Sequence, residues 1–379
     1  MKKTLGLYLH IPFCRSKCLY CDFCSMPHPS DEAMEAYVEA LCRDLHRWSE
    51  TCADYTVDTV FFGGGTPTVL PVRLLERLTE VLWHDFCIDP MAEITAECNP
   101  VTGERERFLR MRGAGFNRLS IGLQSVHREE LRALGRLHDF DTFCHCFSDA
   151  REAGFENISA DVMSGIPHQT PQSRMETLQK LCALGPEHIS SYDLIIEEGT
   201  PFARAQERLA LPVEEAARQM YFEGCEFLTS GGWKQYEISN FAKEGYESRH
   251  NLKYWSCEEY LGLGVAAHSD FGGARFGNSR DVSAYLRGED ITEEHSIPSL
   301  AERMNEYVML RMRLCEGVDY QAFARRFGRS FESVFGKGFS AYEPHGLVIC
   351  DGAHCAFTTR GMLVSNAILS EVLDFSGEI

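Results

Sequence analysis

The segment HIPFCRSKCLYCDFCS, residues 10 to 25, carries four cysteines, Cys14, Cys18, Cys21 and Cys24, directly behind a short apolar run. The first three, spaced x3 and x2, set three thiolates on one loop. Such a loop holds three irons of a cubane [4Fe–4S] cluster and leaves the fourth iron open to a substrate. The other reading of the thiols is a zinc knot that also uses Cys24. Zinc sites pair two short cysteine hooks across a longer loop, however, and no second hook follows. A second motif, FFGGGTP at residues 61 to 67, comes after a valine- and phenylalanine-rich run. Its glycines let the backbone approach a ligand closely. On its own GGGTP more often marks a tight turn, and it lacks the Lys-Ser/Thr ending of a phosphate loop. Cys144, His145 and Cys146 are consecutive in a predicted helix, where neighbours point in different directions, and are read as no metal site.

These residues need a scaffold that brings distant segments to one rim. Six strand-like runs, TLGLYLHI, VDTVFF, AEITAE, FNRLSIGL, NISADVMSG and HISSYDLII, alternate with helix-length periodic stretches such as EAMEAYVEALCRDLHRW and PVRLLERLTEVLW. Repeated βα units imply an α/β class with a parallel sheet, here a partial (β/α)6 TIM-like barrel over residues 1–212. Ligands of such sheets sit at the C-terminal ends of the strands. Those ends carry the cysteines, the glycine run, Glu97, Gln124 and Asp161.

From residue 213 to 295 the alternation fades, and WKQYEISNFA followed by GLGVAAHSDFGGARFGN is expected to close the open side of the barrel. Residues 296–379 read as a small winged-helix-like domain. It has a helix over Leu300, Met304, Val308 and Met312 ending at Gly317, a second helix DYQAFARRFG, a hairpin turning at Asp351-Gly352 and a last helix from Gly361. Without a run of basic residues this domain reads as a packing module rather than a DNA reader.

The chain of 379 residues is 44% hydrophobic and carries a formal net charge of −19, which suits a folded core and repels nucleic acid. MKKTLGLYLHIPFC has too short an apolar run for a signal peptide and reads as the first strand. No run of roughly 20 apolar residues, the length needed to span a bilayer, occurs. Sixteen cysteines without a secretory signal imply a reducing, cytoplasmic setting. Peripheral contact with a membrane is compatible with this.

The cysteine spacing, with Tyr20 just before the third thiol, resembles the radical S-adenosylmethionine (SAM) superfamily. YLHIPFC, GGGTPT, ECNP, RLSIGLQS, DVMSGIP and YEISNFA occur in the order of its oxygen-independent coproporphyrinogen III oxidase (dehydrogenase)-like branch and cover almost the whole chain. The resemblance implies a [4Fe–4S] cluster on Cys14, Cys18 and Cys21, with SAM bound by Tyr8, Gly64, Gly65, Thr66, Glu97, Gln124, Arg136, Asp161, Ile195 and His268. Glu97 would accept from the methionyl ammonium, Arg136 would hold the carboxylate, Asp161 the ribose, and Ile195 would pack on adenine.

Within the branch, three features point to its heme chaperones rather than to the dehydrogenase. The dehydrogenase's long N-terminal extension is expected to be absent, Phe23 stands where the dehydrogenase has a further cysteine, and HNLKYW resembles an element linked to heme binding. That element makes His250 a candidate axial ligand of heme, with Cys257 as a rival and Tyr254 and Trp255 as stacking surfaces. A lone histidine is more often a hydrogen-bonded core or surface residue. The implied partners are heme, a heme-acceptor protein and an electron donor for the cluster. The competing expectation is radical oxidative decarboxylation of porphyrinogen propionates.

Overall fold

The computed structural model describes residues 2–374. Six parallel strands lie side by side in chain order: β1 (Lys3–Ile11), β2 (Tyr55–Gly64), β3 (Ile88–Cys98), β4 (Arg118–Gln124), β5 (Asn157–Ser164) and β6 (His188–Asp193). They correspond to the six runs read from the sequence, and the architecture is the expected α/β one.

The strands succeed because apolar residues recur at every second position. Leu5, Leu7, Leu9 and Ile11 of β1, Leu119, Ile121 and Leu123 of β4, and Ile158, Ala160 and Val162 of β5 are fully buried. This face packs under the helices, which include α1 (Asp31–Ser49), α2 (Val72–Asp85), α3 (Arg105–Gly113), α4 (Phe140–Glu152) and α5 (Pro171–Ala183). Each fully buried Leu or Ile contributes about 1.5–3 kcal/mol relative to exposure. A one-residue register slip would therefore turn a whole apolar row toward the interior. The intervening residues, Gly6 and Tyr8 on β1 or Ser120, Gly122 and Gln124 on β4, face the inside of the barrel and are free to be polar.

The middle segment extends both edges of this sheet. After α6 (Glu214–Ser230), β7 (Lys234–Gln235) and β8 (Asn240–Ala242) continue it beyond β6, with β8 antiparallel to β6. Helix α7 (Arg249–Trp255) lies against β2, and β9 (Tyr260–Leu263) pairs parallel to β1. Strands β10 (His268–Phe271), β11 (Ala274–Asn278) and β12 (Thr292–Ser296) then return antiparallel.

A second buried cluster spans Met304 to Leu373. It contains α8 (Leu300–Arg311), opened by a Ser299–Glu302 capping box, and α9 (Tyr320–Phe327). A three-stranded sheet of β13 (Val318–Asp319), β14 (Val348–Cys350) and β15 (His354–Phe357) completes it. Gly352, at φ 84°, is in the expected turn between β14 and β15. Gly317 is not the residue that closes α8, which ends at Arg311. Its glycine has another cause: at φ 65° a Cβ would stand 2.0 Å from the Cys355 carbonyl oxygen. The end of the expected C-terminal domain, residues 375–379, lies outside the described residues.

Candidate cluster and cofactor cavity

The inward faces of the strands and the cysteine loop enclose a cavity of about 790 Å³. At its mouth, Cys14, Cys18 and Cys21 all line the wall. The loop is pinned by backbone bonds from Leu19 N to Leu134 O (3.0 Å) and from Phe202 N to Leu19 O (3.1 Å). Cys14 Sγ is 3.7 Å from Thr66 Oγ1. Burial pushes the Cys14 and Cys21 thiols up, a cost that bonding to a metal as thiolates offsets. Cys24 does not line the cavity. Its carbonyl accepts from His10 Nε2 at 2.9 Å, and Tyr8 Oη donates to His10 Nδ1 at 3.1 Å, so β1 braces the loop behind the three thiols.

The glycine motif ends β2. Gly64 is at φ 109°, and a Cβ there would stand 2.5 Å from the His10 ring; at Gly65 it would stand 2.6 Å from the Phe13 carbonyl oxygen. Only glycine fits at Gly64, in backbone conformation and in space. The Gly64 N–H donates to Glu97 Oε2 at 3.2 Å. Burial, and then the neighbouring Asp161 carboxylate, push Glu97 up to about 8. Burial also raises Asp161, opposed by the hydroxyls of Ser120 and Ser190; Ser120 Oγ donates to Asp161 Oδ1 at 3.0 Å. Among the described residues neither carboxylate forms an ion pair, so the wall presents two acid groups that a cationic ligand would satisfy.

Opposite in sign is Arg136. Its Nε is buried without a partner, and among the described residues its one polar contact is from Nη2 to Tyr20 Oη at 3.5 Å. A Cβ at Gly122 would lie 2.9 Å from Nη2, so that glycine leaves room for the guanidinium. Gln124, at the end of β4, has φ 67° and accepts from Tyr192 Oη at 2.9 Å. A non-glycine residue in that region is strained, and such strain gathers where ligands are held. Ile195 and Phe23 also line the mouth, exposed by 68% and 66%. The donor set at the mouth fits an open-iron cluster with a zwitterionic, cationic ligand beside it: three thiols, the Arg136 guanidinium, and the Glu97 and Asp161 carboxylates, none of these charged groups in an ion pair among the described residues.

A family model of the radical SAM superfamily matches residues 8–181, and one of the HemN C-terminal domain matches residues 299–364. The heme chaperone HemW of Haemophilus influenzae is 35% identical over 339 residues, covering 87% of this chain and 88% of that protein. The heme chaperone HemW of Bacillus subtilis is 34% identical over 376 residues, covering 97% and 98%. The chain belongs to the HemW family of radical SAM proteins. In fold it is similar to the Escherichia coli coproporphyrinogen III oxidase HemN, a radical SAM enzyme, at a TM-score of 0.87 and 25% identity over 99% of this chain and 91% of that one.

Within this HemW-family structure, the cavity gathers Tyr8, Gly64, Gly65, Thr66, Glu97, Gln124, Arg136, Asp161 and Ile195 with the three cysteines. His268 is elsewhere. It lines a separate cavity of about 450 Å³ with Tyr260, Arg275 and Glu294. The chain reverses after β9, so His268 begins an antiparallel return strand whose neighbour across the ladder is Gly277.

His250 is also differently placed from an open ligand. It is 1% exposed, stacked on Phe61 and bonded through both ring nitrogens: Nδ1 to Thr59 Oγ1 at 2.8 Å and Nε2 to Tyr254 Oη at 2.7 Å. Burial, then the charges of Lys253 and Arg118, lower it to about 3. In this arrangement neither nitrogen is open to a metal. Sequence reasoning missed His10, which braces the loop, and Arg118, Ser120, Tyr192 and Asn251 in the wall. A signal for part of this set was present, since Arg118, Ser120, Gly122 and Gln124 alternate along one strand face.

Proposed function

We infer that this protein binds heme and delivers it to acceptor proteins, with a [4Fe–4S] cluster and SAM held in the cavity. The observation that carries the reading is the convergence of three thiols with unpaired groups of both signs, in a chain 34% identical over 97% of its length to a heme chaperone. When bound, the cluster would supply the iron that the amine and carboxylate of SAM chelate. Cys14, Cys18 and Cys21 would hold it. Glu97, with Asp161 behind it, suits the methionyl ammonium, and Arg136 suits the carboxylate. Asp161 is also disposed to accept from ribose hydroxyls, and Ile195 to cover adenine. Tyr8, Gly64, Gly65, Thr66 and Gln124 shape the wall around the ligand.

Heme binding through His250 is compatible with this fold only if the bonds to Thr59 and Tyr254 open. The exposed apolar side chains of Phe23 and Ile195 offer the macrocycle a landing surface at the mouth. An electron donor for the cluster and a cytoplasmic setting complete the reading, which involves no nucleic acid. Among the described residues no helix is long and apolar enough to cross a membrane.

A second reading, oxygen-independent coproporphyrinogen III dehydrogenase, is favoured by the 0.87 TM-score to HemN. Anaerobic cluster reconstitution followed by heme titration and by a porphyrinogen oxidation assay separates the two. Stoichiometric heme binding without protoporphyrinogen formation supports the chaperone; turnover without specific heme binding sinks it.

A further inference from the structure

Arg118 opens β4 and is 2% exposed, among the largest side chains that are fully buried. Its guanidinium lines the cavity, its Nε is buried without a partner, and among the described residues it forms no ion pair. The Asp161 carboxyl feels its charge but does not touch it, and a buried cation without a contact partner is costly. Something must repay that cost.

The position excludes the roles already assigned at the mouth. Arg118 is three inward-facing steps below Gln124, about 20 Å along the strand between Cα atoms at ~3.3 Å per residue. It belongs to the deep end of the cavity. Nearby on the wall, Asn240 is 9% exposed with Oδ1 buried and unpartnered, and Ser190 and Asn251 add further polar surface. Arg118, Asn240 and Asn251 are not among the groups assigned to the cluster or to SAM, and Ser190 reaches that site only through Asp161.

We propose that the deep end of the cavity is a carboxylate subsite in which the Arg118 guanidinium forms a forked ion pair with a single carboxylate of a bound ligand. A carboxylate is favoured over a phosphate because Lys17 and Arg136 belong to the cysteine-loop end and leave one guanidinium here, with the Asp161 carboxylate on the neighbouring strand opposing a second negative charge. A planar monoanion matches the planar fork in both charge and geometry. The proposal rests on the heme reading, and its carboxylate is a heme propionate, because the methionyl carboxylate of SAM is assigned to Arg136 at the mouth.

The test is a set of four titrations on anaerobically reconstituted protein: heme, heme dimethyl ester, SAM and decarboxylated SAM, each against wild type and Arg118→Gln. Wild type prefers heme over its dimethyl ester, and Arg118→Gln lowers that preference tenfold or more while the SAM pair keeps its wild-type ratio. An unchanged heme-to-ester ratio overturns the subsite, and so does a drop confined to the SAM pair. Absence of any heme binding in wild type sinks the chaperone reading, whereas heme binding that ignores both the ester and the Arg118 change sinks the subsite alone. If Arg118→Gln does not fold, Arg118→Lys takes its place, with a loss of at least threefold expected; wild-type ratios in a folded Arg118→Lys protein overturn the proposal.

Discussion

The mouth and the floor of the barrel are built from the same strands and yet are opposite in character. At the floor, one network of polar groups closes on itself. Ser159 Oγ meets His188 Nδ1 at 2.7 Å, His188 Nε2 meets Tyr236 Oη at 2.8 Å, and Tyr236 Oη accepts from Ser248 N at 3.3 Å. Glu93 accepts the N–H groups of Arg249 and His250 at 3.1 and 3.0 Å, which fixes the start of α7. At the mouth, Arg136, Glu97 and Asp161 form no ion pair among the described residues, and the three thiols face the cavity. A closed network stabilises a fold, whereas a wall of unmet groups is arranged for something from outside. Arg118 is informative because it lies deep in the cavity and nevertheless has the unmet character of the mouth.

The largest break in this contrast comes from the cysteines. Replacing Cys14, Cys18 or Cys21 by Ala is expected to abolish the cluster while the protein stays folded, measured by iron and sulfide content alongside circular dichroism. Cys24→Ala is expected to keep a full complement, because only its backbone carbonyl bonds to His10. Equal loss of iron in the Cys24 and Cys18 variants would refute the assignment.

At the floor the expected sign is reversed: stability suffers and the cluster does not. His250→Ala strands the hydroxyls of Thr59 and Tyr254 and leaves a void, at a cost of about 2–4 kcal/mol in denaturant unfolding. Any loss of heme affinity in that variant needs comparison with Tyr254→Phe, which frees Nε2 but keeps the imidazole. Because burial holds His250 near 3 and lowers His188 as well, the unfolded chain takes up protons that the folded chain refuses. Stability is therefore full above about pH 6.5 and falls as the pH drops toward 3. An acid limb that persists undiminished after the His250 change would remove this residue from its cause.

Glu97 sharpens the comparison in the opposite pH direction. With its carboxyl near 8, the ligand-free protein keeps a proton there that a cationic ligand must expel. SAM affinity is expected to increase as the pH rises to about 8 and then level off, and Glu97→Gln should weaken binding about tenfold and flatten the slope. Isothermal titration in buffers of different ionisation enthalpy reads the released proton directly; no proton release near neutrality would contradict the account. The smallest effect on stability is expected from Phe23→Ser. At 66% exposure it should change unfolding by about 0.5 kcal/mol or less. A reduced heme affinity in this variant would mark the rim as a landing surface.

Cys14, Cys18 and Cys21, the glycine run and the six apolar alternations were legible in the sequence because each depends on spacing within a few residues. A strand period of two and a thiol spacing of x3 and x2 are local rules. The same locality explains what could not be read. His250 sits in a helix that itself supplies Tyr254 four residues on but says nothing of Thr59, which closes the other nitrogen, and His268 lines a separate cavity because the chain reverses after β9. Gly317 looks like the glycine that ends a helix, but the Cys355 carbonyl, brought against it by the sheet, dictates it. The sequence by itself determined which residues can bind iron, carry charge or face a barrel interior. Tertiary structure decided which of them were left unsatisfied, since a hydrogen bond or ion pair depends on what lies a few ångströms away in space, wherever that neighbour falls in the chain.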